Sequence, residues 1–237
     1  MSVKQNIIEI TNKINESLNR RTAANITDSV KIIAVTKNQT VTAMLEAIDA
    51  GITAVGENRI QEALTKYPEI TGTANCKVEW HLIGHLQTNK ARLAVQYFDM
   101  IHSVDSERLV TDIDRAAAKL SKRQDILIQV NVAGEDTKYG IPPKIRDLLA
   151  LVRAVSELEN VRLCGLMTVA PYCDDPEAVR PFFRELYYLY NEIVSLNIAR
   201  VEMKWLSMGM TNDYCVAIEE GANIVRIGTG IFGTRYY

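Results

Sequence analysis

The sequence has few of the residues that build metal centres and disulfide frameworks. Its cysteines lie at positions 76, 164, 173 and 215 and its histidines at 81, 85 and 102. No Cys-x-x-Cys pair or zinc-ligand spacing occurs among them, so we expect reduced thiols in a cytoplasmic protein and no metal ligands. His81 and His85 are four residues apart, but the strand pattern around Gly84 breaks the helical face that a metal-binding pair requires.

Long apolar runs and a surplus of charge are also absent. The 27 basic and 29 acidic residues give a net charge of −2, with no run of Lys or Arg. We therefore expect no nucleic-acid partner and no membrane surface. Residues 1–20 contain no continuous apolar stretch, which predicts neither a secretory signal nor a membrane span. Ile7, Ile10 and Ile14 instead recur at helical spacing and predict an N-terminal helix.

Eight short apolar runs rich in β-branched residues alternate with segments of helical period, a pattern typical of successive βα units. The predicted strands are 31–36, 53–56, 78–84, 99–104, 125–132, 161–169, 203–208 and 222–228. The predicted helices between them are 41–50, 58–66, 87–96, 106–120, 143–157, 176–195 and 212–220. A (β/α)8 barrel typically takes roughly 250 residues. The 237 residues are therefore predicted to form an α/β protein, a single-domain (β/α)8 TIM barrel over 1–237 with an extra N-terminal helix.

An open doubly wound sheet is the alternative fold. No Gly-x-Gly-x-x-Gly turn follows the first strand, and eight strands would be many for an open sheet, so we prefer the barrel. Too few residues follow the last strand for a full eighth helix, and the N-terminal helix is predicted to fill that gap. Asp175 before Pro176 predicts a helix start, and Asn212 or Asp213 is predicted to cap the helix at 212–220.

Polar residues collect at the carboxyl ends of the predicted strands, where barrels of this kind carry their active sites. They are Lys37, Glu57, Asn58, His85, Ser207, Gly209, Arg226, Gly228 and Thr229. Lys37 follows an apolar strand, so its amine is expected at a partly desolvated mouth, where the neutral form that attacks an aldehyde is easier to populate. A solvated lysine or a salt-bridge partner is the alternative interpretation.

The loops after the seventh and eighth strands are suited to hold a phosphate, as such loops often do in barrels. Glycines let backbone N–H groups approach an anion, and hydroxyls add donors. The residues concerned are Gly209, Gly228 and Gly230 for the backbone and Ser207 and Thr229 for the hydroxyls. The alternative is that the glycines serve turns and the hydroxyls cap helices.

Arg226 shares its strand face with Ile224, so it is predicted to point into the barrel while Val225 and Ile227 pack outward. A guanidinium in that position needs a partner. A buried carboxylate and a ring nitrogen of a cofactor both satisfy this requirement.

Seven motifs in this order cover nearly the whole chain. They are AVTK (34–37), GENRIQEA (56–63), EWHLIGHLQTNK (79–90), QVNV with KYGI downstream (129–141), GLMT (165–168), LSMGMTND (206–213) and VRIGTGIFGTR (225–235). With them the chain closely resembles the YggS/PROSC pyridoxal phosphate homeostasis proteins, whose barrel is similar to the N-terminal domain of alanine racemase.

The resemblance implies that pyridoxal 5′-phosphate (PLP), the vitamin B6 cofactor, is bound covalently as a Schiff base, the internal aldimine of Lys37. It also assigns further cofactor-binding residues: Ser207, Gly228 and Thr229 to the phosphate, Arg226 to the pyridine nitrogen, and Asn58 and Met208 to the lining of the cofactor. Gly209 joins this set through the phosphate loop. His85 stands where some relatives carry proline and is not counted, and no catalytic residue or metal ligand is assigned.

The function implied by the resemblance is intracellular PLP homeostasis, in which the protein stores, delivers or buffers the cofactor without turning over a substrate. PLP-dependent apoenzymes are its candidate partners. An arginine donates a hydrogen bond but has effectively no proton to give, so the cofactor ring would be a weak electron sink.

Two hypotheses of enzymatic activity stay open at this point. One is a PLP-dependent amino-acid racemase that uses Lys37 as its base, with Tyr236 or Tyr237 supplied across a dimer. The other is a Schiff-base aldolase acting on a phosphosugar.

Overall fold

Eight parallel strands close into a barrel in the computed structural model, which describes residues 2–24, 26–27, 29–73, 77–135 and 138–233. The strands are β1 (Lys31–Val35), β2 (Ala54–Glu57), β3 (Glu79–Leu82), β4 (Met100–Val104), β5 (Gln124–Gln129), β6 (Val161–Met167), β7 (Val201–Ser207) and β8 (Ile224–Ile227). Each strand pairs with the next, and β1 pairs with β8. The predicted (β/α)8 barrel is confirmed, and the alternative prediction of an open doubly wound sheet is wrong.

The helices form a ring outside the barrel. They are α1 (Val3–Asn19), α2 (Val41–Asp49), α3 (Ile60–Thr73), α4 (Ala91–Tyr97), α5 (Glu107–Lys119), α6 (Ile145–Ser156), α7 (Arg180–Ser195), α8 (Tyr214–Glu219) and α9 (Thr229–Phe232). Short 3-10 turns at Thr88–Lys90 and Pro176–Val179 lead into α4 and α7. Across the described part of the chain, every helix is too short or too polar to traverse a lipid bilayer.

The N-terminal helix α1 fills the place of a full eighth helix. It packs against α2, α8 and the single-turn α9, and it buries Ile7, Ile10 and Ile14, the face that the sequence predicted. The side-chain amide of Asn6 donates to the carbonyl of Ile231 in α9 at 2.8 Å. The predicted closure of the helical ring by α1 is therefore confirmed.

Two apolar layers lie on opposite sides of the sheet. The larger layer is between the strands and the helices and includes Val225 and Ile227. The smaller one fills the barrel interior and consists of Ile33, Ala54, Met100, Leu127, Cys164, Met167 and Ile224. The predicted alternation in β8 is confirmed, and Arg226 is on the same face of the strand as Ile224.

Helix α3 is longer than the sequence indicated. The helix predicted at 58–66 runs instead from Ile60 to Thr73 and contains Pro68. A proline inside a helix removes one backbone hydrogen bond. The extension buries Ile70 completely and brings the ring of Tyr67 to 5.3 Å from that of Trp80. This packing offsets the lost bond.

One predicted helix cap is confirmed and another is wrong. The Asp175 carboxylate accepts from the N–H of Glu177 at 2.9 Å, as expected for a residue that starts a helix. The Asp213 carboxylate instead accepts from the N–H of Met210 at 2.6 Å and closes the turn before α8. Asn212 donates to the carbonyl of Cys173 at 2.9 Å, so neither side chain caps α8.

A glycine lets β6 approach β7 closely. The pairing register of β6 shifts between Leu163 and Gly165, and Gly165 has φ 151°, a conformation that L side chains rarely adopt. A Cβ at this position would lie 1.8 Å from the carbonyl oxygen of Trp205. The bulge therefore depends on the absence of a side chain at position 165.

We expect Gly165→Ala to lower the free energy of unfolding by about 2–4 kcal/mol, because backbone strain and a clash with a neighbouring strand add together. Urea denaturation followed by circular dichroism measures this change. Gly72→Ala is the matched control, since Gly72 lies in α3 with open space around it, and alanine there should stabilise by up to about 1 kcal/mol. Equal stability of Gly165→Ala and the parent chain would contradict the prediction.

Candidate functional site

The sequence-predicted site residues meet at the carboxyl ends of four neighbouring strands, in the order β7, β8, β1 and β2. Lys37 is two residues beyond β1 and Asn58 directly follows β2, and both are half-buried. Ser207 ends β7, and Gly228 directly follows β8. The structure thus brings these residues to one sector of the barrel mouth.

A buried ion pair holds the backbone that precedes Lys37. The ammonium of Lys66 donates to the Thr36 carbonyl at 2.8 Å and to Glu57 Oε1 at 2.8 Å. The Thr36 hydroxyl donates to the same carboxylate oxygen at 2.7 Å. Burial raises the pKa of Glu57 above its ordinary value, against the opposing hydrogen bonds from Lys66 and Thr36. Glu57 faces α3, so its expected place inside the mouth is wrong.

The backbone after Lys37 is held by the same helix. Asn38 has φ 58°, in the left-handed region, and its N–H donates to the Glu62 carboxylate. Glu62 also accepts from Lys66 at 2.7 Å, one helical turn further along α3. The turn that carries Lys37 is therefore fixed on both sides. The four-residue spacing of Glu62 and Lys66 was visible in the sequence, but their contacts with the turn after β1 were not.

Arg226 is buried inside the barrel with 4% of its surface exposed. Its Nη1 donates to Ser207 Oγ at 2.7 Å and its Nη2 to the Thr168 carbonyl at 2.7 Å. Burial lowers the pKa of Arg226 to about 10, while the charge of Asp213 opposes the shift. The guanidinium therefore stays protonated at neutral pH. Its hydrogen-bonded partners are a hydroxyl and a carbonyl, and part of its donor set remains for a ligand.

Two histidines inside the barrel were missed as site residues by sequence reasoning. His81 and His102 are fully buried, and His81 Nδ1 lies 2.8 Å from His102 Nε2. His102 Nδ1 lies 3.1 Å from Ser207 Oγ. Burial lowers the pKa of His102 well below its ordinary value, and nearby His81 and Arg226 lower it further. The two histidines therefore contact the predicted site from the barrel interior, through Ser207.

The glycines of the predicted phosphate loops differ in what requires them. Gly209 has φ 90°, and a Cβ there would come within 2.6 Å of Ala217 Cβ. At Gly230 a Cβ would meet Ile227 at 2.9 Å, and the Gly230 N–H donates to the Thr211 hydroxyl at 3.2 Å. Packing thus explains these two glycines.

Met208 and Thr229 occupy opposite environments. The Met208 side chain is fully buried in the layer between sheet and helices, where it packs away from solvent. Thr229 is exposed at the first position of α9. Of the two, Thr229 has the side chain that a ligand in solution can reach.

Asn58 and His85 line a cleft of about 250 Å³ beside the mouth. The ring of His85 stacks on Tyr139, with centroids 3.8 Å apart and planes at 11°. Tyr139 belongs to the loop after β5, and Ile141 of the same loop pairs with Val130. The loop after β5 is therefore anchored over one side of the mouth at these positions.

Within the described residues, no group of three or more His, Cys, Asp or Glu side chains could hold a metal ion. Tyr236 and Tyr237, the candidate second bases of a racemase, lie outside the described residues.

Comparison with known proteins first defines the class. The family model of the alanine racemase N-terminal domain matches residues 16–236. The alanine racemase of Clostridium difficile superposes with a TM-score of 0.70 at 13% identity, covering 96% of this chain and 59% of that one. At this identity the likeness concerns the fold alone. The molecule is thus an alanine racemase-like barrel.

Closer relatives narrow the class to a family. A pyridoxal phosphate homeostasis protein of Aquifex aeolicus is 44% identical over 208 residues, 87% of this chain and 88% of that protein. PipY of Synechococcus elongatus, solved with PLP bound, is 34% identical with a TM-score of 0.82, covering 98% of this chain and 100% of that one. Without PLP its TM-score is 0.85. The chain belongs to the pyridoxal phosphate homeostasis protein family.

We expect Lys66→Met to lower the free energy of unfolding by about 3–5 kcal/mol, because it leaves the Glu57 carboxylate buried without its cation. Adding Glu57→Gln should recover a large part of this loss, since the unpaired charge is then removed. Urea titrations of the two single variants and the double variant measure the coupling.

Lys119→Met serves as the control, because Lys119 is exposed on α5 and should change stability by less than about 0.5 kcal/mol. Strictly additive effects of the Lys66 and Glu57 substitutions would contradict the pairing.

Proposed function

We propose that this chain binds PLP at the barrel mouth and holds it for cellular PLP homeostasis without turning over an amino acid. The observation that carries the proposal is the convergence of a half-buried lysine after β1 with the donor-rich ends of β7 and β8. Two comparisons support it, since PipY has been solved with PLP bound and the Aquifex relative is named for PLP homeostasis.

The residues present fit a phosphorylated pyridine aldehyde. An amine, a buried guanidinium and hydroxyls supply the donors that an aldehyde, a ring nitrogen and a phosphate require. Gly228 adds a structural test of the fit. A Cβ there would lie at an ordinary 3.5 Å from Val35 Cβ, so packing alone does not demand glycine, and the space is available to a ligand.

Lys37 is the residue to which we assign covalent attachment. When bound, PLP supplies an aldehyde and an electron-withdrawing pyridine ring. The role of the protein is to present an amine from a rigid backbone, and Thr36 and Asn38 on either side are held by β2 and α3. Such preorganisation lowers the entropy lost when a ligand is fixed.

The phosphate is assigned to Ser207, Gly228 and Thr229, with Gly209 shaping the loop, and the ring nitrogen to Arg226. Asn58 and the backbone of Met208 complete the proposed lining. Arg226 donates hydrogen bonds but keeps its proton near neutral pH, because burial lowers its pKa only to about 10. A residue that does not release a proton to the ring favours holding the cofactor over carbanion chemistry.

The proposal extends to the whole chain and to the proteins that would receive the cofactor. Residues 1–237 would act as one cofactor-binding unit, and PLP-dependent apoenzymes in the cytoplasm would receive the cofactor. The described cysteines Cys164, Cys173 and Cys215 are free thiols, which agrees with a reducing compartment.

We expect Lys37→Ala to abolish covalent attachment of PLP while leaving the fold intact, because a lysine at the mouth contributes little to the core. The measurement is the absorption spectrum of PLP-loaded protein before and after borohydride, followed by peptide mass spectrometry. Lys90→Ala is the matched control, since Lys90 lines the cleft beside Asn58. In this variant the peptide that contains Lys37 should still carry the reduced PLP adduct. A reduced PLP adduct elsewhere in the folded Lys37→Ala variant would overturn the assignment.

A second test addresses turnover. Protein loaded with PLP and incubated with alanine in D2O should give no deuterium at the α-carbon above the level of Lys37→Ala, as read by NMR of the recovered amino acid. Exchange in the parent chain that disappears in Lys37→Ala would instead establish a racemase-type activity.

A further inference from the structure

A continuous line of hydrogen-bonded side chains crosses the barrel interior. It begins at Glu79, the first residue of β3, whose Oε2 lies 3.2 Å from His81 Nε2. It continues through the His81–His102 contact at 2.8 Å and the His102–Ser207 contact at 3.1 Å. Arg226 joins it by donating to Ser207 at 2.7 Å. We call Glu79, His81, His102 and Ser207 the interior relay.

The proton positions at the lower end of the relay are set by Glu79. The hydrogen bond from His81 lowers the pKa of Glu79 to about 2, helped by the Lys31 ammonium 2.5 Å away and opposed by burial. The carboxylate is therefore ionised and can only accept, so His81 must carry its proton on Nε2. Burial lowers the pKa of His81, which keeps the ring neutral and leaves Nδ1 without a proton.

The proton position on His81 in turn fixes the proton positions on His102 and Ser207, which lies at the mouth. Because His81 Nδ1 accepts, His102 must donate from Nε2, and a neutral His102 then has a bare Nδ1. That nitrogen accepts the Ser207 hydroxyl proton. Arg226 can only donate, so it uses a lone pair of the same hydroxyl oxygen. In the neutral relay, therefore, Ser207 has no proton left for a ligand at the mouth.

An incoming phosphate offers only acceptors, so the neutral relay and a phosphate oxygen both require the same proton. One added proton on His102 resolves this competition, because His102 Nδ1–H then donates to Ser207 and the hydroxyl proton turns to the anion. The proton comes from water and is taken up once per ligand, with no other bond made or broken.

We propose that the interior relay couples phosphate binding at Ser207 to the uptake of one proton, and that Glu79, at the opposite end of the barrel, sets this coupling. The proposal rests on the function proposed above, in which Ser207 contacts the phosphate of PLP. Glu79, His81 and His102 are then positioning residues, since they act on the ligand through the direction of one hydroxyl proton.

The surrounding charges allow both relay states. Lys31 and Asp99 face His81, and Lys31 and Arg226 face His102. The two cations disfavour the protonated relay without a ligand, and a bound dianion reverses this balance. Water reaches the lower end, because Glu79 has a side-chain exposure of 43% and lines a cavity of about 440 Å³ at the amino ends of the strands.

The test compares PLP with 5′-deoxypyridoxal, which has the same aldehyde and ring, lacks the phosphate, and has no hydroxyl that could close onto the aldehyde. Titration calorimetry in two buffers of different ionisation enthalpy gives the protons taken up per ligand, at about pH 8, where a phosphomonoester with a second pKa of about 6 is already a dianion. For the parent chain we expect the binding of PLP to take up more protons than the binding of 5′-deoxypyridoxal, by a margin approaching one proton per ligand.

Glu79→Gln is the decisive variant. The new amide can donate to His81 Nε2, which reverses the neutral relay and turns the Ser207 proton toward the mouth without an added proton. In this variant we expect the difference in proton uptake between the two ligands to fall to near zero. Glu202→Gln is the control and should keep the difference, because Glu202 is an exposed carboxylate of the same cavity that pairs with Arg162 outside the relay. Because binding takes up a proton, the preference of the parent chain for PLP over 5′-deoxypyridoxal should fall by up to about tenfold for each unit by which the pH rises. In Glu79→Gln this preference should not change with pH.

A readout that needs no ligand tests the proton direction separately. Nitrogen-15 NMR of the ligand-free protein should find the proton of both His81 and His102 on Nε2 in the parent chain and on Nδ1 in Glu79→Gln. His102→Gln, which cannot gain a proton, should also lose the margin if Glu79→Gln does not fold.

The outcomes separate the two proposals. Equal margins in the parent chain and a folded Glu79→Gln, or a margin of zero in the parent chain, would overturn the relay while leaving PLP binding intact. A parent chain that is folded but binds no PLP would overturn the proposed function and the coupling together. A proton on His102 Nδ1 in the ligand-free parent chain would refute the relay alone.

Discussion

The parallel pairing of β1 with β8 is the constraint on which the site depends. It sets Ile33 opposite Arg226 and Ala34 opposite Ile227, and it places Val35 against Gly228. Strands that are far apart in the chain thereby bring the turn of Lys37 next to the loop after β8. An open sheet would leave these two edges unpaired and separate the amine from the proposed phosphate loop.

The barrel interior is polar along one path and apolar elsewhere. Barrels of this fold usually fill their interior with branched aliphatic side chains, and here Ile33, Leu127 and Ile224 still do so. The buried polar groups tolerate the same space because each is hydrogen-bonded to the next, which offsets part of the desolvation cost. A polar path of this kind contributes less to stability than an apolar core would, and this favours a role in the site.

The sequence predicted the fold, and it indicated where the candidate site residues would converge, because both depend on local patterns. Strand periodicity placed Arg226 inside the barrel, and the rule for strand ends placed Lys37 at the mouth. The interior relay was beyond this reasoning, because His81, His102 and Ser207 come from three strands and meet only after the barrel closes. Lys66 was missed for the same reason, since its partner Thr36 belongs to a different βα unit.

The contact of α1 with α9 ties the ring of helices together over a long stretch of chain. The hydrogen bond from Asn6 to Ile231 spans 225 positions, so its loop-closure entropy is among the largest in the molecule. The candidate pocket also depends on contacts between distant parts of the chain, because Lys37 follows β1 and Gly228 follows β8. A chain in which β1 and β8 have not yet paired therefore has no complete pocket, so a ligand at this site would bind only the closed barrel and stabilise it against unfolding.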